Sequence, residues 1–251
     1  MSTANGERLE AKDVRVHFDG VKAIDEVDLV VNRGELFGLI GPNGAGKTTL
    51  VNVLSGFQQP TSGRIFLSGN DVTKLPPHKR SARGLVRTFQ GVRLFHRLTV
   101  FENVEVGALG AGAGRQEARS LARDLLERVQ LADKADDLAT SLAHGQERRL
   151  GIARALAMRP RFLLLDEPAA GLNEAESDEL LRSLVGFRDE FSLGVLIIEH
   201  DMRMIMRLCE RIQVLDHGKT IAIGTPAEVR ANQAVIEAYL GVGRESDVAQ
   251  G

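Results

Sequence analysis

Residues 41–50, "GPNGAGKTTL", place three glycines, one lysine and two threonines between the apolar run "ELFGLI" at 35–40 and the apolar-rich "LVNVL" at 50–54. The first run reads as a buried strand and the second as the opening of a helix, so the most permissive residues sit where one element becomes the other. The spacing G-x-x-x-x-G-K-[ST] is met by Gly41, Gly46, Lys47 and Thr48, and a chance match at this composition is about one in a hundred. A phosphate chain that lies on backbone N–H groups needs side chains cleared and φ > 0 allowed, which Gly41, Gly44 and Gly46 provide. The helix that follows points its positive end at the same anion, Lys47 can reach the β- and γ-phosphates, and the Thr48 hydroxyl can ligate Mg²⁺. A plain glycine-rich turn explains the flexibility but not Lys47-Thr48.

Nucleotide binding alone leaves the class open, because kinases, switch GTPases, helicases and transport ATPases share this loop. "FLLLDEP" at 162–168 narrows it. A buried apolar strand that ends in Asp166 delivers a carboxylate to the C-terminal edge of a sheet, where phosphate-loop ligands bind. Asp166 would hold Mg²⁺ through a water, and Glu167 can accept a proton from the water that attacks the γ-phosphate. Isolated, an Asp-Glu pair is more often a loop or helix-cap residue; placed after four apolar residues in a chain with a phosphate loop, the catalytic reading is the better one.

The three buried runs, "ELFGLI", "RFLLLD" and "LGVLIIEH", alternate with helical patterns, which predicts a mostly parallel sheet with helices on both faces. "LEAKDVRVHF" and "AIDEVDLVV" alternate apolar and polar residues around Asp19-Gly20, and "SGRIFLSGNDV" carries a second hairpin signal, so an antiparallel β part is expected beside that sheet. From about Val92 to Met158 the spacing becomes helical with polar faces, which predicts a helical insert. Within it "GALGAGAGRQ" reads as a flexible connection, and the ending "GRESDVAQG" as a frayed polar tail. The expected organisation is one α/β unit over 1–240, in which 1–91 and 159–240 form the nucleotide core, 92–158 is the helical part and 241–251 is the tail.

Composition limits the partners. Lys and Arg number 32 against 34 Asp and Glu, so the formal charge of −2 gives no overall footprint for nucleic acid or an anionic membrane. The basic stretch "PPHKRSARGLVRTFQGVRLFHR" therefore reads as a solvated or partner-facing surface, with no nucleic-acid partner expected. A single cysteine, Cys209, excludes an intramolecular disulfide and fits a reducing compartment. The opening "MSTANGERLEAKDV" is polar and no eighteen apolar residues run together, so the expectation is a cytosolic chain that does not itself span a membrane.

"SLAHGQERRLGIARAL" adds a glycine, Gly145, at the start of an amphipathic helix, a second place where backbone N–H groups could meet an anion. An ordinary helix start fits the same residues. Two such helix starts with the Asp166-Glu167 pair on one chain resemble the ATP-binding cassette (ABC) ATPases, and the resemblance covers nearly the whole chain. It implies the ABC ATPase fold, ATP with Mg²⁺, and contacts to the nucleotide from Gly41, Pro42, Asn43, Gly44, Ala45, Gly46, Lys47, Thr48 and Thr49. In that family a signature "LSGGQ" binds the γ-phosphate held by the opposite subunit. Here it is "LAHGQ", so the role falls to Ala143, His144, Gly145 and Gln146, with the serine hydroxyl replaced by the methyl group of Ala143.

The resemblance assigns four further positions. Phe18 matches the aromatic that stacks on adenine, although Val14, Val16 and Phe18 share a strand face and all three could be core. Gln90 matches the glutamine that reaches Mg²⁺ and the attacking water, and His200 matches the switch histidine at the γ-phosphate. "AAGLN" at 169–173 stands where the family's loop usually ends in Asp, so Asn173 keeps the shape and loses the charge. "RTFQGVRLFHRLTVFENV", "EHDM" and "GTPAEVRANQAVIEAYLG" are most similar to the cytosolic ATPase of the branched-chain (hydrophobic) amino acid importers, whose relatives also move amides and urea. That implies permease subunits, a second cassette, identical or different, and a solute-binding protein across the membrane, with this chain peripheral on the cytoplasmic face. A lipid or lipopolysaccharide exporter cassette shares many of these motifs. A translation or DNA-maintenance ATPase of the superfamily would usually carry a second cassette or long coiled-coil arms, and a GTPase would need an N-K-x-D element; neither is present.

Overall fold

The computed structural model describes residues 7–18, 20–89, 91 and 93–239. Strands β3 (Leu36–Ile40), β7 (Phe162–Asp166) and β8 (Gly194–Ile198) are buried along their whole length. Their side chains alternate between two cores: Leu36, Ile40, Leu163, Leu165, Val195 and Ile197 belong to one, and Phe37, Leu39, Phe162, Leu164, Leu196 and Ile198 to the other. Period-two alternation with apolar residues on both sides is why these runs are unbroken in sequence, and it places them in the middle of a layered fold.

The six-stranded sheet runs β10-β9-β3-β8-β7-β6, with β6 (Leu85–Arg87), β9 (Arg211–Asp216) and β10 (Lys219–Gly224) completing it. All neighbours are parallel except the β9/β10 hairpin at one edge. A four-stranded antiparallel sheet, β2-β1-β4-β5, is built from β1 (Arg8–Phe18), β2 (Val21–Asn32), β4 (Ser62–Leu67) and the two-residue β5 (Asn70–Asp71). It shares a core with α1 (Lys47–Ser55) over one face of the large sheet. The other face is covered by α3 (Val100–Gly110), α4 (Arg115–Arg128), α5 (His144–Ala157), α6 (Glu174–Phe191) and α7 (Met202–Leu208), with α8 (Pro226–Ala231) beyond β10.

The expected fold class, a mostly parallel sheet with an antiparallel β part and a helical insert, is the architecture observed. The insert, α3 to α5, lies between β6 and β7 and is continuous with the core of the sheet through Val86, Leu163 and Leu165. Among the described residues no helix is long and apolar enough to cross a membrane. The tail at 241–251 lies outside the described residues.

Two sequence expectations are corrected. "GALGAGAGRQ" is not one flexible connection: helix α3 runs through its first four residues, and a Cβ added to Gly107 would stand 2.6 Å from the Arg154 carbonyl oxygen of α5. Gly107 is there because two helices meet at that point. The basic stretch is not wholly a surface either. The short helix α2 (Pro77–Ser81) carries Arg80, which is fully buried, and β6 carries Arg87, whose side chain is 6% exposed.

Arg80 shows what a buried guanidinium does here. It donates to the carbonyls of Val53 (2.6 Å), Leu54 (2.7 Å), Leu75 (3.0 Å) and Thr73 (2.7 Å). Two of these are C-terminal carbonyls of α1, of which that of Val53 also accepts from the Gly56 N–H at 3.2 Å, so Arg80 and Gly56 together close the end of the element that starts at the phosphate loop. Burial pulls its pKa down to about 10. Arg80→Met fills the space and strands the carbonyls, so it is expected to cost ~3 kcal/mol. Urea unfolding checks this, and a loss below ~1 kcal/mol would remove Arg80 from that role.

Candidate functional site

The phosphate loop follows β3 directly, and its glycines have steric as well as conformational reasons. Gly41, Gly44 and Gly46 take φ of 150°, 79° and 102°. A Cβ on Gly41 would stand 2.1 Å from the Leu215 carbonyl oxygen, and one on Gly46 would stand 2.6 Å from that of Ala23. Helix α1 begins at Lys47 with no side chain capping its first turn, so those N–H groups open toward the cavity described next.

That cavity, about 410 Å³, is lined by Asn43, Gly44, Ala45, Gly46, Lys47, Thr48 and Thr49 on one side and by Glu167, Ile198 and His200 on the other, with Ala23 of β2 at the margin. Segments some 120 to 150 residues apart in sequence thus share one space, because β3, β7 and β8 are neighbours and end at the same edge of the sheet.

Lys47 is 7% exposed and folds back over its own loop, donating to the Gly41 carbonyl at 2.7 Å and the Pro42 carbonyl at 2.9 Å. Burial lowers its pKa, while the charges of Glu167 and Asp166 act the other way. Glu167 has φ 49°, an uncommon conformation for a side chain of this size, and its N–H is tied to the Ile198 carbonyl at 2.9 Å. Its Oε1 is 2.5 Å from His200 Nε2, so the acid and the histidine form a pair at the mouth of the cavity.

Asp166 ends β7 and is 8% exposed. Its Oδ2 accepts from Arg87 Nη2 at 2.8 Å, and Arg87 also donates to Asn52 Oδ1 (2.6 Å) and Ser55 Oγ (3.2 Å) of α1. Arg87 is a site residue the sequence reading missed. It bolts the far side of α1 to the strand that carries the acids, and its guanidinium lies 5.1 Å from the Phe89 ring centroid. Among the described residues no cluster of three His, Cys, Asp or Glu could form a metal cage. Thr48 lines the cavity, whereas Asp166, held by Arg87, is not among its lining residues; a hydroxyl and a carboxylate are the oxygen donors Mg²⁺ takes, alongside waters and substrate phosphates.

The signature segment does not enter this cavity. Ala143 is the N-cap of α5, with Gln146 Oε1 accepting from the Ala143 N–H at 3.1 Å. Ala143 and His144 are exposed, and none of Ala143, His144, Gly145 and Gln146 lines the pocket of Lys47. His144 and Gly145 lie instead against the loop after Glu167 and the start of α6: a Cβ on Gly171 would meet His144 Cε1 at 3.0 Å, and one on Gly145 would meet Glu176 Oε1 at 3.0 Å. Asn173 caps α6, its Oδ1 accepting from Glu176 N–H at 2.9 Å.

Phe18 is 49% exposed at the end of β1 while Val14 and Val16 are buried, so the three do not form one core stripe. The ring lies outside the lining of the phosphate cavity. Gln90 lies outside the described residues. Glu199, also missed from sequence, is 5% exposed behind His200. The signal was available, since it follows the apolar run "VLII" as Asp166 follows "FLLL".

Comparison with known proteins agrees with this geometry. The family described as "ABC transporter" matches residues 24–170, and that described as "Branched-chain amino acid ATP-binding cassette transporter" matches 219–245. The chain is 44% identical over 248 residues to the high-affinity branched-chain amino acid transport ATP-binding protein BraF of Pseudomonas aeruginosa, covering 93% of this chain and 97% of that one. It is 37% identical over 234 residues to the lipopolysaccharide export system ATP-binding protein LptB of Escherichia coli, with the same coverage of 93% and 97%. Among solved structures, the ADP conformation of MJ1267, an ATP-binding cassette of an ABC transporter, superposes with TM-score 0.84 at 29% identity, covering 94% of this chain and 99% of that one. The dimeric bacterial ABC transporter cassette MJ0796 superposes with TM-score 0.78 at 27% identity, covering 87% and 98%.

The Arg87–Asp166 pair yields a test of the site's internal wiring. Arg87→Leu leaves a buried carboxylate without its guanidinium partner, and the expected loss of stability is ~3 kcal/mol. The double variant Arg87→Leu with Asp166→Asn should recover at least half of that loss in urea unfolding, because no charge is left stranded.

Proposed function

The chain belongs to the ABC transporter ATP-binding family, and from that membership we propose that it drives import of branched-chain or other hydrophobic amino acids, or of related amides or urea. As a member it is an ATP-hydrolysing subunit of an ABC transporter and works with membrane permease subunits. The importer assignment is supported by the higher identity to BraF than to LptB and by the match at 219–245. The cassette holds no solute site of its own in this reading, so selection rests with the permease and an extracytoplasmic solute-binding protein. The chain then sits on the cytoplasmic face, held there by the permease.

The observation that carries the site assignment is the single cavity shared by 43–49, Glu167 and His200. ATP would lay its phosphates on the N–H groups of 41–49, and Lys47 would exchange its two loop carbonyls for β- and γ-phosphate oxygens. Thr48 and Asp166 would hold Mg²⁺, with Gln90 as the further ligand the family pattern implies; the ion supplies charge neutralisation across the phosphates. Glu167 accepts the proton of the attacking water, and His200 both orients Glu167 and faces the γ-phosphate. Phe18, exposed at the end of β1, is free of core packing and can stack on adenine.

Because the signature residues do not reach the phosphate cavity of their own chain, they are read as serving the ATP of a second cassette. Two cassettes would then close on two nucleotides, with 92–158 moving as the helical unit and 241–251 dispensable for chemistry. The permease would dock on the groove of about 160 Å³ where Thr88, Phe89 and Arg93 meet Ile152, Arg154 and Met158.

Glu167→Gln is expected to lower ATP turnover at least a hundredfold while ATP still binds, giving a stable ATP-bound dimer in size-exclusion chromatography. Near wild-type turnover would remove Glu167 from its role. Lys47→Ala should weaken ATP affinity by tenfold or more in equilibrium binding. Purification from native membranes should recover hydrophobic-amino-acid permease subunits, whereas recovery of a lipopolysaccharide export permease would reverse the substrate assignment.

A further inference from the structure

Glu199 is a buried acid with no part in the chemistry above. Its Oε1 accepts from the Ala169 N–H at 2.8 Å and its Oε2 from the His200 N–H at 3.2 Å. Ala169 stands two residues beyond Glu167, and His200 is the residue whose ring meets Glu167. One carboxylate therefore ties the two backbone segments whose side chains form the Glu167–His200 pair. Asp201, the next residue but one, is spent on a different task, capping α7 through the N–H groups of Arg203 and Met204. The tripeptide Glu199-His200-Asp201 thus sends three side chains to three places: the loop after β7, the acid at the cavity, and the helix that follows.

Burying a carboxylate is costly, and a strand that needed only to end could do so on a neutral residue. Burial pushes the Glu199 carboxyl up, with the two N–H donors acting against it. The same loop is met by Arg148 of α5, 8% exposed, whose Nη2 donates to the Ala170 carbonyl at 3.5 Å; burial lowers its pKa, while the charges of Glu199 and Glu167 act the other way. Arg148 is three residues from Gly145, one turn into the signature helix.

We propose that Glu199 is a positioning residue for hydrolysis: it holds the turn after Glu167 and the His200 segment in one register, so that displacement of the signature helix through Arg148 reaches the Glu167–His200 pair. This rests on the reading of Glu167 and His200 as the groups that act at the γ-phosphate. Glutamine is isosteric with glutamate but offers one acceptor oxygen in place of two, so Glu199→Gln turns an NH₂ group toward one of the two N–H donors. The two segments can no longer both be held.

The test is a double-mutant cycle on the full chain, measuring kcat and ATP dissociation constant for wild type, Glu199→Gln, His200→Ala and the pair. Glu199→Gln is expected to lower kcat about tenfold with ATP affinity within about twofold, and in the His200→Ala background its further cost should shrink to under about twofold. An equal fold loss in both backgrounds, an unchanged kcat, or a parallel loss of ATP affinity would overturn the proposal, since a merely structural role produces no such dependence on His200. Glu199→Asp, which keeps the charge but is too short to span both donors, serves if the glutamine variant does not fold; it should lower kcat with ATP affinity retained, and failure of both variants to fold would assign Glu199 to stability alone. If His200→Ala by itself leaves kcat unchanged, the underlying reading of the site fails instead.

Discussion

The first turn of α1 has its N–H groups uncapped by any side chain, and much of the surrounding fold holds that turn still. At its start Gly41 and Gly46 let the loop pass within touching distance of the Leu215 and Ala23 carbonyls. The β9–β10 turn locks it from outside, with Gly218 donating to the Ala45 carbonyl at 3.0 Å and accepting from Asp25 N–H at 2.8 Å. At the other end Arg80 closes the helix, and along its side Arg87 ties Asn52 and Ser55 to Asp166. A nine-residue helix is marginal by itself, so its orientation is a tertiary property. An anion site made of backbone dipoles works only if those dipoles do not have to reorganise, and these braces supply that rigidity.

How much of this was legible in the sequence follows from how local each interaction is. The phosphate loop and the Asp166-Glu167 pair announce themselves because their residue types sit at fixed spacing after an apolar run. The central strands were legible for the same reason, since a strand buried on both faces cannot hide its composition. Arg80 and Arg87 were not legible: a cation in a basic stretch reads as solvated, and only partners 26 and 79 residues away make its burial tolerable. Glu199 stands between the two cases: its place after "VLII" was legible, whereas its acceptor role depends on Ala169 at a separation of 30. Strand β6, three residues long, and the edge hairpin β9/β10 lack the continuous apolar run that marked the central strands. Gly107 misled because a glycine that lets helices touch is indistinguishable, one residue at a time, from a glycine that lets a chain bend.

Charge balance explains why so many ionisable groups can crowd one edge of the sheet. Asp166 is matched by Arg87, Glu167 by His200, and Lys47 lies within the field of both acids. Asp166 thus has a guanidinium held by β6, Lys47 of α1 lies near both acids, and Glu167 hydrogen-bonds the imidazole of the segment after β8. The arrangement differs from a surface ion pair, where solvent screens the interaction and side-chain entropy consumes it. For the buried Arg87–Asp166 pair, a shift of β6 relative to β7 would leave an uncompensated charge, which couples those two strands and α1.

The signature segment fits the same logic despite its altered residues. With alanine at the N-cap, only one half of a reciprocal cap remains, Gln146 reaching back to the Ala143 N–H. The helix start is held instead by packing: the His144 ring lies against Gly171, and Gly145 sits against Glu176 at the beginning of α6. Gly171 itself adopts φ 79°, a backbone state that a side chain would strain, so both partners in that contact are constrained. The imidazole thus does in packing what a serine would do in hydrogen bonding, fixing where α5 begins relative to the loop after Glu167. A displaced helix start changes the contact with Gly171, and Gly171 is four residues from Glu167. Contact between the 143–146 segment and the loop that follows Glu167 is therefore built into one chain before any second chain is considered.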